Sequence, residues 1–590
     1  MVSDRMNTCV MHMESWLQRL RIVLLVSVAL CCGACRSGVR IDYMPQCPPA
    51  SPAIVSFDLK GIDQPHLLAL VSLQGLVNRH EPQLYTYSSG YSDGLLKLYK
   101  RIGVVTSEER CDDVMALLAR YREHYRGVVI YDPAKRYTIN LASNIAGVED
   151  RVILAPSLLE SFRERVDSTV DVLDLRELGL HSAGEAFDWY REKVFPHQNH
   201  RMLGVAKDVY MYDVFRDYLI ACRIPTFWLP GEGDDDWSEE AVEDVIWLYE
   251  HTPANIPVFG FWPGLDQGKD VGYNEYFGTK LAGNYGKFTI VCTWVGSYSY
   301  HSGVQISSDE FRQTRVRFKR FRDYDPTKKY VALVMVESGD APGYFQFDGF
   351  FPRQWDDSLR GSVPISYGIS MSLRWLMPGV MRHLYDTATE NDYFFCPISG
   401  AGYCYPLLGY CDSVPDREAH LDAYFDLTAR NMAQLDMDML ALYTHPDRVP
   451  WSAADSALIR RYVEPLPQVR SIISGMHRTG YAPSQGNGFL ANGTTTVHHV
   501  MTHWSWEDWD LFRSGTAADI PAAEFLAQEI RNGCEGTNFV TAMFYSWHYG
   551  PRRLALVREM LEKEGYVFVT MNEFDDLYRK SKQANNENKL

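Results

Sequence analysis

From Tyr330 onward the chain repeats one pattern: a short apolar run followed by helical or loop sequence. Seven runs stand out, YVALVMVE, VPISYGIS, DYFFCPIS, MDMLALYT, VRSIISG, TNFVTAMFY and YVFVTM. Each has strand length and is rich in β-branched and aromatic residues, and the segments between them are long enough to cross back over a sheet. Strands interleaved with helices in this way pair in parallel. The pattern therefore predicts a (β/α) barrel-like domain over residues 326–580, of TIM type but incomplete or distorted, in which chemistry gathers on the loops that follow the strands.

The preceding 270 residues are α/β in smaller pieces. HLLALVSLQGLVNR reads as a helix and PQLYTY as a strand; GVVIYD, INLASNIAGVED and RVILAP form a compact βαβ spacing; YDVFRDYLIAC reads as a helix before the strands in TFWLPGEGDDDW, IPVFGFW and FTIVCTWV. These predict three small α/β subdomains at 53–122, 123–197 and 198–315, with three separate sheets or one shared sheet both open. The charged stretch RVRFKRFRDYDPTKK marks the boundary before the larger domain. The polar tail SKQANNENKL, residues 581–590, is expected to be disordered.

Residues 1–35 read as a lipoprotein signal peptide and 36–52 as a Pro-rich tether. Arg19 and Arg21 precede the apolar run IVLLVSVAL, too short to span a bilayer, and Gly33, Ala34 and Cys35 resemble the end of a bacterial lipobox, with Cys32 where that motif prefers Leu. Cys35 is then the lipidated residue, and the chain is expected at the cell envelope as an outer-membrane or cell-surface lipoprotein, otherwise secreted or periplasmic. A net charge of -17 argues against a nucleic-acid partner and against any membrane contact other than the anchor. The leader holds Cys9, Cys31, Cys32 and Cys35, and the eight cysteines after it are scattered singly with no CxxC pair; Cys396, Cys404 and Cys411 read as buried thiols or one optional bridge.

After the DYFFCPIS strand comes GAGYCYP. Gly400 and Gly402 permit positive φ and close approach, Tyr403 and Tyr405 carry rings with hydroxyl tips, and Pro406 ends the turn. On a strand-following rim such a loop suits a polyhydroxyl ligand. It lacks the Lys or Ser of a phosphate cradle. Gly400, Gly402, Tyr403, Tyr405 and Pro406 spell GxGYxYP, and the chain resembles the family of glycoside hydrolases named after that signature. LVSLQGLVNR is similar to the family's N-terminal region, and RGSVPISYGIS with TATENDYFFCPISGAGYCYP to its C-terminal domain. The resemblance implies a secreted or lipidated bacterial protein with small α/β domains ahead of a barrel-like catalytic domain, and a carbohydrate substrate; it names no acid or base.

Glycoside hydrolysis needs two carboxyl groups facing one cleft. Glu337 and Asp340 directly follow the first strand of the large domain and are the leading catalytic candidates. Asp356 and Asp357 offer a second carboxylate, and Arg360 a substrate clamp. Trp547, His548 and Tyr549 in FYSWHYGP follow another strand and are candidate sugar contacts beside Gly400, Gly402, Tyr403 and Tyr405. In VHHVMTHW, His499 and His503 are four apart, which on a helix would put both on one face as metal ligands; this is the weaker reading, and no cofactor is otherwise expected. Neither Ser338 nor Ser399 sits in a GxSxG, which disfavours serine hydrolysis, and GEGDDDW lacks the spacing of a calcium loop. The leading reading is a glycoside hydrolase acting through paired carboxylates. A non-catalytic carbohydrate-binding lipoprotein and a metal-dependent polysaccharide deacetylase are the alternatives. The sugar, the linkage and the oligomeric state are not written in the sequence.

Overall fold

Helix Gln64–Asn78 is apolar on every side, and the fold buries it on every side: Leu67 to Asn78 are all inaccessible to solvent. Asp63 caps it, accepting from the His66 amide at 2.9 Å. The computed structural model describes residues 44–206, 214–228, 238–261, 275–292, 296–308, 310–335, 350–397, 399–442, 457, 459–461, 463–464, 468–474, 487–490, 492–500, 518–544, 546 and 548–587. The leader with Cys35, and the GEGDDDW turn, lie outside these residues.

Three parallel sheets make up this N-terminal part. The first has strands β1 (Ala53–Asp58), β2 (Leu84–Tyr87) and β3 (Ser107–Cys111) in the order β2-β1-β3. The second has β4 (Gly127–Ile130), β5 (Arg151–Leu154) and β6 (Asp171–Asp174), ordered β5-β4-β6. The third has β7 (Leu203–Val205), β8 (Thr226–Phe227), β9 (Ile256–Gly260) and β10 (Lys287–Val291), ordered β10-β9-β7-β8. The sheets are separate, which decides the alternative left open by the sequence. One helix nonetheless ties the first two sheets to each other and to helix Arg216–Ala221, which accompanies the third. Ser72 Oγ accepts from the Ile153 amide of β5 at 2.9 Å, Asn78 Nδ2 donates to Leu84 O and Ser299 Oγ, both at 2.8 Å, and the adjoining Arg79 donates to Gly147 O at 2.7 Å and Ile220 O at 2.6 Å while pairing with Asp150. A single apolar core runs through the group.

The C-terminal part has β11 (Lys329–Met335), β12 (Ile365–Gly368), β13 (Asp392–Phe395), β14 (Met439–Ala441), β15 (Ser471–Ser474), β16 (Gly488–Phe489), β17 (Thr496–His499), β18 (Phe539–Met543) and β19 (Tyr566–Val569). They form two sheets, β13-β12-β11-β18 with β19 also on β11, and β14-β15-β17-β16. Every pair is parallel except β16–β17. Among the described residues a closed TIM barrel is not found. The strands are short, β19 occupies the edge of β11 along Lys329–Ala332 and leaves β12 only Val334 and Met335, and the two sheets meet through single parallel bridges, Cys396 with Leu440 and Val500 with Thr541. Both sheets still point into one apolar cluster that includes Val334, Phe395, Ala441, Ile473, Val500 and Met543.

Helix Met571–Glu587 covers the end at which these strands begin. Phe574 and Tyr578 each lie 5.4 Å from the ring of Phe539, the first residue of β18. Beside them the buried Asp575 gathers His498 Nε2 at 3.1 Å and Arg579 Nε at 2.8 Å. Burial alone would raise this carboxyl; His498 and Arg579 overrule it and hold it down to about 2.

Two expectations change here. The helix runs on to Glu587, into the stretch read as a disordered tail, and Ser581 is buried with its hydroxyl donating to Tyr578 O at 2.7 Å. His499 closes strand β17 and is not helical, so its spacing to His503, which lies outside the described residues, does not define a helix face. Among the described residues no helix is long and apolar enough to cross a membrane.

Candidate functional site

β13 ends at Phe395, in register with Gly368 of β12. Cys396 still pairs with β14, accepting from the Ala441 amide at 2.8 Å, and the Ser399 amide donates to Ala441 O at 2.7 Å. There the chain turns away, through Ser399 at φ 63° and Gly400 at φ 118°, the second a conformation essentially restricted to glycine. Gly402 is needed for a different reason. Its φ is not positive, but a Cβ there would sit 2.5 Å from Phe288 Cδ2, 2.9 Å from Ile290 Cδ1 and 2.9 Å from Thr289 O.

Those contacts belong to β10, in the third N-terminal sheet. Tyr403 and Thr289 exchange two backbone hydrogen bonds, each 2.8 Å, as a lone antiparallel pair. The two motif tyrosines fold together: their hydroxyls are 2.6 Å apart, their rings meet edge to face at 5.5 Å, and Val291 and Leu408 pack against them. Only 4% of Tyr403 and 9% of Tyr405 is exposed. From behind, Tyr424 of helix Arg417–Gln434 donates to Ser399 O at 2.8 Å and accepts from Cys404 Sγ at 3.1 Å. Further along, Tyr410 donates to Asn255 Oδ1 at 3.0 Å, and the Cys411 amide to Gly283 O at 2.8 Å. Lys287 is buried beneath, donating to Thr252 O at 3.1 Å and Pro253 O at 2.7 Å. Burial pushes its ammonium down to about 7.

The motif is therefore a clasp between the third N-terminal sheet and the C-terminal part. Sequence reasoning placed Gly400, Gly402, Tyr403 and Tyr405 on an open sugar-binding rim; the structure encloses the two rings among β10 and Leu408. Phe288 and Thr289 lie in the predicted strand FTIVCTWV and Tyr424 in a stretch given no element; none of the three, which make the clasp work, carried a functional signal in the sequence.

Asp356, Asp357 and Arg360 take scaffold contacts. Arg360 stacks on Trp355 at 4.2 Å, donates to Trp355 O at 2.6 Å, and pairs at 2.6 Å with the fully buried Asp392, the first residue of β13. Asp356 meets Arg101 at 3.1 Å, and Asp357 accepts from the Leu359 amide at 2.7 Å. Since Arg360 bridges to Val363 just before β12, these groups sit toward the strand starts, away from the loop after Phe395. His548 and Tyr549 follow β18 and are buried: the Tyr549 hydroxyl donates to Ala522 O at 2.9 Å, and His548 O accepts from Arg553 at 2.7 Å. Burial, then Arg553, lowers the His548 imidazole to about 4; burial, then His498, does the same to His499. Both rings are neutral at pH 7. Strand alternation puts His499 on the face opposite His498. Glu337, Asp340, Trp547 and His503 lie outside the described residues, and among the described residues no three His, Cys, Asp or Glu side chains are grouped to hold a metal.

Residues 53–123, 125–191 and 204–303 match the first, second and third N-terminal domains of the GxGYxYP family, and residues 327–579 match the domain described as "GxGYxYP putative glycoside hydrolase C-terminal domain". No curated protein matches the chain. A crystal structure described as "a putative hydrolase from Bacteroides thetaiotaomicron VPI-5482" is similar, with a TM-score of 0.70 and 17% identity over 91% of this chain and 96% of that one, a likeness of fold. With all four domains present in order and the motif itself forming the clasp between the last two, the chain belongs to the GxGYxYP family.

Proposed function

We propose that the protein hydrolyses glycosidic bonds in a poly- or oligosaccharide at the cell envelope, with Glu337 and Asp340 as the carboxylate pair. The observation that carries the reading is register. Met335, the last residue of β11, is level with Tyr367 of β12 and Phe394 of β13. The chain that leaves β11 with Glu337 and Asp340 thus starts from the strand end at which the GxGYxYP loop leaves β13. The opposite end is filled by helix Met571–Glu587, which favours this end for the chemistry. Asp356 and Asp357, engaged toward the strand starts, are weaker partners for the pair. In this reading one carboxyl protonates the leaving oxygen, and the other acts as nucleophile or activates water. The domain description of the family, and the fold likeness to a protein described as a hydrolase, support the reaction class.

The same reading makes the C-terminal part a distorted barrel, supported by the one core shared between its two sheets. It also makes the chain a lipoprotein anchored at Cys35, for which release from membranes by Cys35→Ala is the test.

The deciding experiment incubates purified protein with a panel of glycans and reads products by mass. Cleavage lost in both Glu337→Gln and Asp340→Asn supports the pair; cleavage at the wild-type rate in both overturns it. Glycan retention without products would favour the binding-module reading, and acetate release the deacetylase.

A further inference from the structure

Cys47 and Cys222 are 175 positions apart in the chain and both are free cysteines, yet the fold lays the segment of the first against the helix that ends in the second, with the two side chains close enough to interact. The approach is built from both sides. Ahead of β1, the segment around Cys47 is held against helix Arg216–Ala221 by the Tyr218 hydroxyl, which donates to Pro45 O at 2.5 Å. The Cys47 amide donates to Ser302 Oγ at 3.3 Å, Gln46 Nε2 reaches Trp375 O at 3.4 Å, and the Ala50 amide donates to Gly303 O at 2.7 Å. Cys222 terminates the helix, its amide donating to Tyr218 O at 3.0 Å. Tyr218 thus anchors both partners. Both cysteines are partly exposed, while Cys292, Cys396, Cys404, Cys411 and Cys534 are buried. Cys404 has its own partner in Tyr424.

We propose that Cys47 and Cys222 form a disulfide that staples the segment ahead of β1 to the helix of the third N-terminal domain. Its chemistry is thiol–disulfide exchange with a low-molecular-weight disulfide or a disulfide-bearing oxidoreductase. One cysteine thiolate attacks the oxidant's disulfide, giving a mixed disulfide and releasing one thiol. The second thiolate then attacks the protein sulfur of that mixed disulfide and releases the second thiol. Two electrons pass to the oxidant, and the two protons leave on the released thiols. The product closes a long loop and restricts the unfolded chain more than a short one would.

The test uses the full chain, folded, exposed to oxidised glutathione and then alkylated under denaturing conditions before peptide mapping. The expected result is a Cys47–Cys222 cross-linked peptide with the loss of two hydrogens, the other thiols alkylated, and a thermal midpoint that rises on oxidation and falls again with dithiothreitol. Cys222→Ser should abolish both the cross-link and the dithiothreitol response. The proposal fails if native N-ethylmaleimide labels both cysteines while oxidised glutathione yields no cross-link, or yields glutathione adducts alone. Should neither reagent reach them, refolding in a glutathione redox buffer replaces the native treatment, and absence of the cross-link there overturns the proposal equally.

Discussion

Gly402→Ala should loosen the protein at the junction of its third N-terminal sheet and its C-terminal part. The new methyl would stand 2.5 Å from the Phe288 ring and 2.9 Å from Thr289 O. A ring can rotate aside, but the carbonyl belongs to β10, so the loop must move. Overpacking of this kind costs about 1–3 kcal/mol. Displacing the loop also weakens the two 2.8 Å hydrogen bonds between Tyr403 and Thr289, each worth about 1 kcal/mol net. A total of about 3 kcal/mol should lower the thermal midpoint of the C-terminal part by about 6–12 °C. Calorimetry measures that, and hydrogen exchange localises it, since the amides of Thr289 and Tyr403 should lose protection first. Tyr403→Phe is the counterpart: it removes the hydroxyl contact with Tyr405 but leaves the backbone pair, and should cost about 1 kcal/mol with protection retained. An unchanged midpoint together with full protection in Gly402→Ala would refute the clasp.

Arg360→Ala leaves the buried Asp392 without its cation and should destabilise by about 3–5 kcal/mol, whereas a substrate clamp would show instead as a raised KM in a protein of unchanged stability. Lys287 titrates at about 7 when folded and near 10.5 when unfolded. Between those values the unfolded chain holds the extra proton, so this residue's contribution to stability falls as pH drops from about 10.5 to about 7 and is flat below. Lys287→Met should therefore gain on the wild type by about 5 kcal/mol across that window in urea titrations; a difference independent of pH would show that the ammonium stays charged when buried.

The seven runs after Tyr330 became β11 to β15, β18 and β19 because burial on both faces leaves a continuous apolar signature. β3, sequence SEERC, and β6, sequence DVLD, lack one: they are charged edge strands whose pairing comes from their neighbours. β17 was hidden by its own histidines, since HxxxH invites a helical reading while TVHH actually alternates between Asp575 on one face and the opposite layer on the other. The motif was legible as a family signature and as a loop after β13. Whether its rings met ligand or protein depended on Phe288 and Thr289, more than a hundred residues earlier, and no local pattern encodes such a contact. The same holds for Arg360 with Asp392 and for Cys47 with Cys222.

The helix Gln64–Asn78 sets a schedule for the nascent chain. It emerges early, but the strand Arg151–Leu154 and the helix Arg216–Ala221 that help to bury it follow up to 143 residues later. At the usual 5–20 residues per second, an oily helix would wait roughly 7–29 s for cover. An N-terminal fragment cut anywhere before Ala221 would keep at least the face toward helix Arg216–Ala221 bare, so such fragments should bind chaperones or precipitate, and the shortest soluble N-terminal piece should include helix Arg216–Ala221.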